Sequence, residues 1–438
     1  MEGVKTLEME ADVLIVGTGI AGMYSALNLR EDLKIVMITK SNVEECNTYL
    51  AQGGISTARN EDDYHTYIED TLKAGTYKNN IEAVKVLVEE SIENINKLVS
   101  LGVKFDMDGE NFDYTREGAH RVNRIVHCSD KTGQKVFEVL LDNVKSKKNI
   151  NIIENACLLD LITLDNNCCG GIVRIDNEIV QINSKITILA SGGIGGLFKN
   201  STNQRTLTGD GISIAIKNDI EVVHMDYIQF HPTALYEGNL KDKRFLITES
   251  LRGEGAYLLN NEGDRFVDEL LPRDVVSKAI LEEERRTNSE YVFLDITHKP
   301  KDFIINRFPL IYNECKKRGI DITKDRIPVT PAQHYFMGGI KVDTDSKTSM
   351  NNLFACGEVS CTGVHGSNRL ASNSLLEGLV FSNRAAECIN RSIDDIDYVK
   401  GEINIKMVED CDKYNNHIIV EEIIKVRGDM KNELVGCR

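Results

Sequence analysis

The chain has 438 residues, of which 41% are hydrophobic and 6% aromatic; at roughly 100–200 residues per domain this implies two or three domains with a substantial core, and it excludes an intrinsically disordered protein. Lysine and arginine total 52 against 68 aspartate and glutamate, and the formal net charge of -16 argues against a surface built to hold nucleic acid. There is neither a run of about 18 apolar residues nor a basic stretch ahead of an apolar core, so no membrane span and no signal peptide are expected, and the cytoplasm is the default compartment.

The 11 cysteines are odd in number and lack paired CxxC motifs, which fits buried thiols better than a disulfide framework or a zinc ribbon. Residues 11–17, ADVLIVG, form a nearly all-apolar run that predicts a strand buried on both faces. TGIAGMYSALNLRE follows with helical spacing, and KIVMITK at 34–40 predicts a second buried strand, completing one βαβ unit.

Within this unit Gly17, Gly19 and Gly22 spell G-x-G-x-x-G, with Ile20 and Ala21 between them. In a strand–turn–helix context the pattern predicts a nucleotide site: Gly17 permits the turn, Gly19 lets a pyrophosphate approach, and Gly22 lets the helix pack on the sheet. The acid expected on the ribose is absent, since Thr39, Lys40 and Ser41 stand at the end of the second strand. A lysine there could take a nucleotide phosphate, but an NADP reading leaves the glycine-rich AQGGI, residues 51–55, without a role.

Residues 81–101 have apolar positions three and four apart among charges, predicting an amphipathic surface helix. KITILASGG at 185–193, and more weakly NLFACGEVS at 352–360, read as returns to the first sheet. Between them, 226–335 lacks this punctuation and is expected to be an inserted second domain. The segment from about 386 to 438 predicts short helices docked on the core.

His231 in QFHPTALY and His334 in TPAQHYFMGG are expected at turns, because Pro232 and Pro331 interrupt regular structure beside them. Arg273 in LPRDVV and Arg369 in GSNRLASNS each offer the planar donor fork that matches a carboxylate. Two arginines and two histidines without metal-ligand spacing suggest a site for a small dicarboxylate.

Taken in order, GTGIAG, TYLAQGGIS, YTREGAHRVNRIVHCSDKTG, QFHPTALY, TESLRGEGAYL, PRDVV, PAQHYFMGGI and HGSNRLASNSLLEG resemble the flavoprotein family shared by succinate dehydrogenase and fumarate reductase, and within it the members that oxidise aspartate. The resemblance covers roughly residues 10–385. It implies an α/β fold: a Rossmann-like FAD-binding domain made from residues 1–224 and 336–385, an inserted α+β capping domain at 225–335, and a C-terminal helical tail at 386–438 shorter than in typical members. For the cofactor it places Gly17, Gly19, Ile20, Ala21, Gly22 and Lys40 along the adenosine and pyrophosphate. Thr48, Ala51, Gln52, Gly53 and Gly54 would run past the isoalloxazine and Glu358 would meet the ribityl chain, with Asp210, Ser374 and Leu375 completing the contacts. Membrane-associated relatives attach FAD through a histidine four residues before the alanine of AQGG; Asn47 stands there, and an amide cannot form that link, so FAD is expected to be noncovalent.

For the substrate the resemblance places His231, Thr248, His334 and Arg369 around two carboxylates, and Arg273 at the carbon being oxidised. Glu117 would meet the substrate ammonium, which succinate lacks, and so separates amino-acid oxidation from the competing reading of a soluble fumarate-reducing or succinate-oxidising subunit. The implied reaction takes L-aspartate to iminosuccinate, with reduced FAD reoxidised by O2 or by fumarate. Arg273 is either the proton-handling group or a stabiliser of negative charge, since a guanidinium is a poor resting base. The implied place is the first step of bacterial NAD synthesis, with quinolinate synthase as functional neighbour. Neither a nucleic-acid nor a membrane partner is expected; monomer and homodimer both stay open.

Overall fold

In the computed structural model, which describes residues 7–176, 178–238, 242–399 and 411–435, the first strand lies inside the largest sheet. Leu7–Val16 pairs in parallel with Ile35–Ile38 on one side and Glu178–Leu189 on the other. Ile150–Ile153 and Leu353–Ala355 extend the parallel part, while Asn167–Ile175 and Ala156–Leu164 add an antiparallel flank.

The register aligns Ile152, Met37, Ile15, Ile188 and Phe354 in one row across five strands. Because successive side chains point to opposite faces, such rows feed two cores. Ile15, Met37, Ile188 and Phe354 pack under the helices Ile20–Asn28, Thr132–Ser146 and Asn373–Ser392. Leu14, Val36, Ile38 and Leu189 face the other way, toward Asp210–Lys217 and Cys411–Val426. Covering both faces explains why these strands are continuous apolar runs rather than alternating ones.

A second sheet is antiparallel, in the order Ile228–Leu235, Ile327–Phe336, Val292–Asp295 and Tyr257–Leu259, with the helix Arg273–Thr287 packed on its first two strands. Its apolar residues form a separate core with Ile280, Phe308 and Ile311. The turns expected at His231 and His334 are not there: both histidines lie within strands. Pro232 is accommodated by a register shift between His231 and Ala234, a bulge of the kind that tolerates a missing N–H.

The single helix expected over 81–101 is two, Ile81–Glu89 and Ser91–Leu101. Ser91 at the junction turns its hydroxyl inward, accepting Ala58 N at 3.0 Å and donating to Val88 O at 2.7 Å. The helix Asn373–Ser392 runs unbroken through 386 and is buried along most of its length. Further on, Ile419 and Ile423 of Cys411–Val426 and then Leu434 dock into the second core. Among the described residues no helix is long and apolar enough to cross a membrane, and no group of three or more His, Cys, Asp or Glu could hold a metal ion.

Candidate active site

The first strand ends at Val16 and the chain turns through Gly17 at φ +116°, where a Cβ would sit 2.1 Å from Ala190 O. Gly22 lies behind the turn, and a Cβ there would meet Gly17 O at 2.1 Å, so side chains at either position would push helix Ile20–Asn28 off the sheet. The amino end of that helix opens onto a cavity of about 540 Å³. Gly17, Gly19, Ile20 and Ala21 line it, as do Lys40, Thr48 and the stretch Ala51 to Gly54. Asp210, Glu358, Ser374 and Leu375 line its other walls; of the residues assigned to the cofactor, Gly22 alone stands outside.

Several features suit this cavity to FAD. Ile20 N donates to Thr48 Oγ1 at 2.9 Å, tying the helix start to the segment that leads into AQGG. Lys40 Nζ bonds Thr208 Oγ1 and Asp210 Oδ2, each at 2.8 Å, bringing a cation and a carboxylate together at one end. Several buried polar atoms on the lining, among them Gln52 Oε1, Ser191 Oγ and Thr206 Oγ1, have no partner among the described residues, as expected where a polar ligand supplies one. Asn47 is engaged by its surroundings: Nδ2 donates to Asn203 Oδ1 and, at 3.4 Å, to Glu358 Oε2, while Oδ1 accepts Gln204 N at 3.1 Å. Burial pushes the Glu358 carboxyl up to about 7.

The same cavity receives Glu117, His231, Thr248, Arg273, His334 and Arg369. Paired strands bring the two histidines together, with ring centroids 5.0 Å apart at 64°. His231 Nδ1 accepts Thr233 N at 3.2 Å, which leaves the proton on Nε2; His334 Nδ1 pairs with Thr202 Oγ1 at 2.8 Å. Burial, followed by the charge of Arg273, holds both well below the ordinary histidine range, so both rings are neutral at pH 7 and His231 presents Nε2–H as a donor.

Arg273 opens the helix Arg273–Thr287 behind Pro272, which fixes the approach of the chain. Arg369 places Nη1 2.7 Å from Ser374 Oγ and its carbon 4.4 Å from the Tyr335 ring centroid. Its Nε is buried without a partner among the described residues, and burial together with the repulsion of Arg273 lowers the group to about 10. A pocket end that gathers guanidinium donors and leaves one unsatisfied calls for an anion.

Sequence reasoning missed the groups that hold these residues. Glu249 is the partner of Arg273, Nε to Oε2 at 2.5 Å, and also meets Arg252 Nη2 at 3.3 Å. Burial would raise the Glu249 carboxyl, but Arg273 and Arg252 hold it below its ordinary value. Gln229 accepts Arg273 Nη1 at 3.0 Å. Glu117 lies against Gly53 and accepts Ser250 Oγ at 2.9 Å and Ser372 Oγ at 2.6 Å. Burial and then Glu249 raise its carboxyl. The one signal available for Glu249 was local: an acid three residues before an arginine in TESLRG, in a segment already singled out.

A mostly parallel sheet carrying a glycine turn, and a cavity into which a second sheet brings two histidines while a helix start and a loop supply Arg273 and Arg369, define an FAD-binding flavoprotein. The family model described as FAD binding domain matches residues 12–375. L-aspartate oxidase of Clostridium acetobutylicum is 59% identical over 433 residues, spanning 98% of this chain and 100% of its own. That of Clostridium perfringens is 57% identical over 430 residues, spanning 98% and 97%. Among solved structures, E. coli quinol fumarate reductase FrdA superposes with a TM-score of 0.84 at 28% identity, over 95% of this chain and 75% of that one. The chain belongs to the L-aspartate oxidase family.

Proposed function

We propose that this protein oxidises L-aspartate to iminosuccinate at the cavity end where Arg273, Arg369, His231 and His334 converge beside Glu117. The observation that carries the reading is this pairing of cationic and neutral donors, suited to two carboxylates, with one buried acid suited to an ammonium. FAD, held noncovalently, supplies the two-electron acceptor when bound.

Arg369 and the neutral histidines receive the carboxylates, with Thr248 as a further donor, and hold the substrate's α carbon toward the AQGG segment. Orientation of this kind converts binding into rate. Glu117, steadied by two serine hydroxyls, takes the α-ammonium, a contact that a substrate without nitrogen forgoes. As the α C–H bond breaks and the C=N bond forms, the nitrogen gives up a proton. Arg273 stands at that carbon with Glu249 behind it and Arg252 behind Glu249, an unbroken charged line from the reacting centre. This arrangement supports both roles left open for Arg273, stabilising charge or passing a proton to Glu249.

Reoxidation by O2 or by fumarate completes the cycle; fumarate fits the same carboxylate geometry. Iminosuccinate then passes to quinolinate synthase in the bacterial route to NAD. The test is anaerobic mixing of flavin-loaded protein with L-aspartate, D-aspartate and succinate while following flavin absorbance. Bleaching by L-aspartate alone is expected, and an oxidised spectrum with L-aspartate would overturn the reading.

A further inference from the structure

Arg369 stands over a ring whose hydroxyl is itself committed. Tyr335 OH donates to Glu377 Oε2 at 2.9 Å. The same oxygen accepts His365 Nε2–H at 2.9 Å, and Oε1 accepts Thr362 Oγ1 at 2.5 Å. All four residues are buried, Glu377 to 1% exposure. They come from three pieces of chain: Tyr335 from strand Ile327–Phe336, Glu377 from helix Asn373–Ser392, and Thr362 and His365 from the loop leading to Arg369. The Tyr335 ring also meets His365 edge-on, centroids 5.5 Å apart at 85°.

None of these four lies among the residues assigned to FAD or to substrate, and a buried carboxylate costs several kcal/mol of desolvation that an apolar residue would avoid. Three donors converge on Glu377, and with His365 beside it the carboxyl stays below its ordinary value despite burial. The consequence falls on Tyr335. A phenol that donates to an anion carries more electron density in its ring, and the ring face that holds Arg369 becomes the more attractive to a cation. Arginine is also a long side chain with many rotamers, and fixing it beforehand removes an ordering cost from substrate binding.

We propose that Glu377 is a positioning residue for the reaction: acting through Tyr335, it fixes the Arg369 guanidinium in the geometry that receives a substrate carboxylate. The inference rests on the dicarboxylate reading above. It differs from a purely structural role, in which the Glu377–His365 pair would only pin the loop and would leave the affinity of folded, flavin-loaded enzyme unchanged.

The test compares flavin-loaded wild type with E377Q, E377D, Y335F and the double variant E377Q/Y335F. Steady-state kinetics with L-aspartate separate KM from kcat, and succinate, followed by its perturbation of flavin absorbance, reports binding without turnover. E377Q and Y335F should each raise KM and weaken succinate binding by about tenfold, with kcat changed by less than about threefold. The double variant should be no worse than the weaker single, because both break one line of action. E377D should recover most of the loss. Wild-type KM and succinate affinity in E377Q, with only a lowered melting temperature, would overturn the proposal, as would additive losses in the double variant. If E377Q does not fold, Y335F decides alone, and wild-type affinity there overturns it. Failure of wild type itself to be reduced by L-aspartate would instead overturn the functional reading and this inference with it.

Discussion

Arg273 and Glu249 meet edge to carboxylate at 2.5 Å, both buried, and Glu249 shares its other oxygen with Arg252 at 3.3 Å. One carboxylate thus sets the charge environment of the residue assigned to the reacting carbon. Replacing Glu249 by glutamine keeps the shape and removes the charge. Flavin reduction by L-aspartate should slow by about 100-fold, while FAD content and succinate affinity change little. Arg273→Leu should abolish reduction with FAD retained. Anaerobic stopped-flow absorbance measures both, and normal reduction in the leucine variant would remove Arg273 from catalysis.

Glu117 gives a prediction about specificity. Its two carboxylate oxygens accept Ser250 and Ser372 separately, so Glu117→Gln keeps an acceptor for one hydroxyl, turns an amide donor to the other, and removes the charge proposed to face the ammonium. A charged hydrogen bond contributes about 1.5–3 kcal/mol, so KM for L-aspartate should rise roughly 10- to 100-fold. Succinate affinity should stay the same or tighten. Equal losses for both ligands would assign Glu117 to the fold rather than to the ammonium.

The contrast between these two acids shows what the sequence carried. The glycine turn, the two flanking strands and the helix that follows are set by residues adjacent in the chain, and they were legible as local patterns. His231 and His334 were legible as a chemical pair but not as strand neighbours, because Pro232 and Pro331 mimic turn signals and only the bulged pairing with a distant strand contains them. Glu249 means little until Arg273, 24 residues on, is folded beside it. The Tyr335–Glu377 contact spans 42 residues and two elements, and no spacing rule reaches that far. Long-range partners of buried charges are what the sequence pattern left unread.

His120 supplies a pH prediction. Its Nε2 faces Ala371 O at 3.0 Å and its Nδ1 faces Arg124 Nη1 at 3.0 Å, so the neutral ring fits, with a proton on Nε2 alone. Burial and then Arg124 lower it to about 4. The unfolded chain titrates this histidine near 6.5, so between pH 6.5 and about 4 the unfolded state binds the extra proton. The stabilisation from His120 is therefore complete above pH 6.5 and is lost as the pH falls, by about 1.4 kcal/mol per unit within that window. Unfolding free energies of wild type and His120→Gln, measured across this range, should differ by a margin that moves in favour of the variant as the pH drops. A constant margin would show that His120 does not titrate differently on folding.

Arg124 is a fully buried guanidinium that reaches Asp63 Oδ1 at 2.8 Å and Asp70 Oδ2 at 2.7 Å from above the Tyr67 ring. Tyr67 OH continues to Ser56 Oγ at 2.6 Å and Asn373 Oδ1 at 2.9 Å, and Ser56 Oγ donates to Ser372 O at 3.0 Å. Ser372 has φ 62°, an uncommon conformation for a residue with a side chain, and it is the residue that donates to Glu117. In Arg124→Met, Asp70 still has Arg121 at 2.5 Å, whereas Asp63 is left buried without its countercharge. Breaking a buried pair from one side costs about 3–5 kcal/mol, which should appear as a lowered urea midpoint. Adding Asp63→Asn should recover much of that loss, because the stranded charge is then gone. Since the same cluster supports Ser372, KM for L-aspartate should rise in Arg124→Met at temperatures where the variant is still folded. A stability loss with unchanged KM would confine Arg124 to the scaffold and separate the buried ion cluster from the position of Glu117.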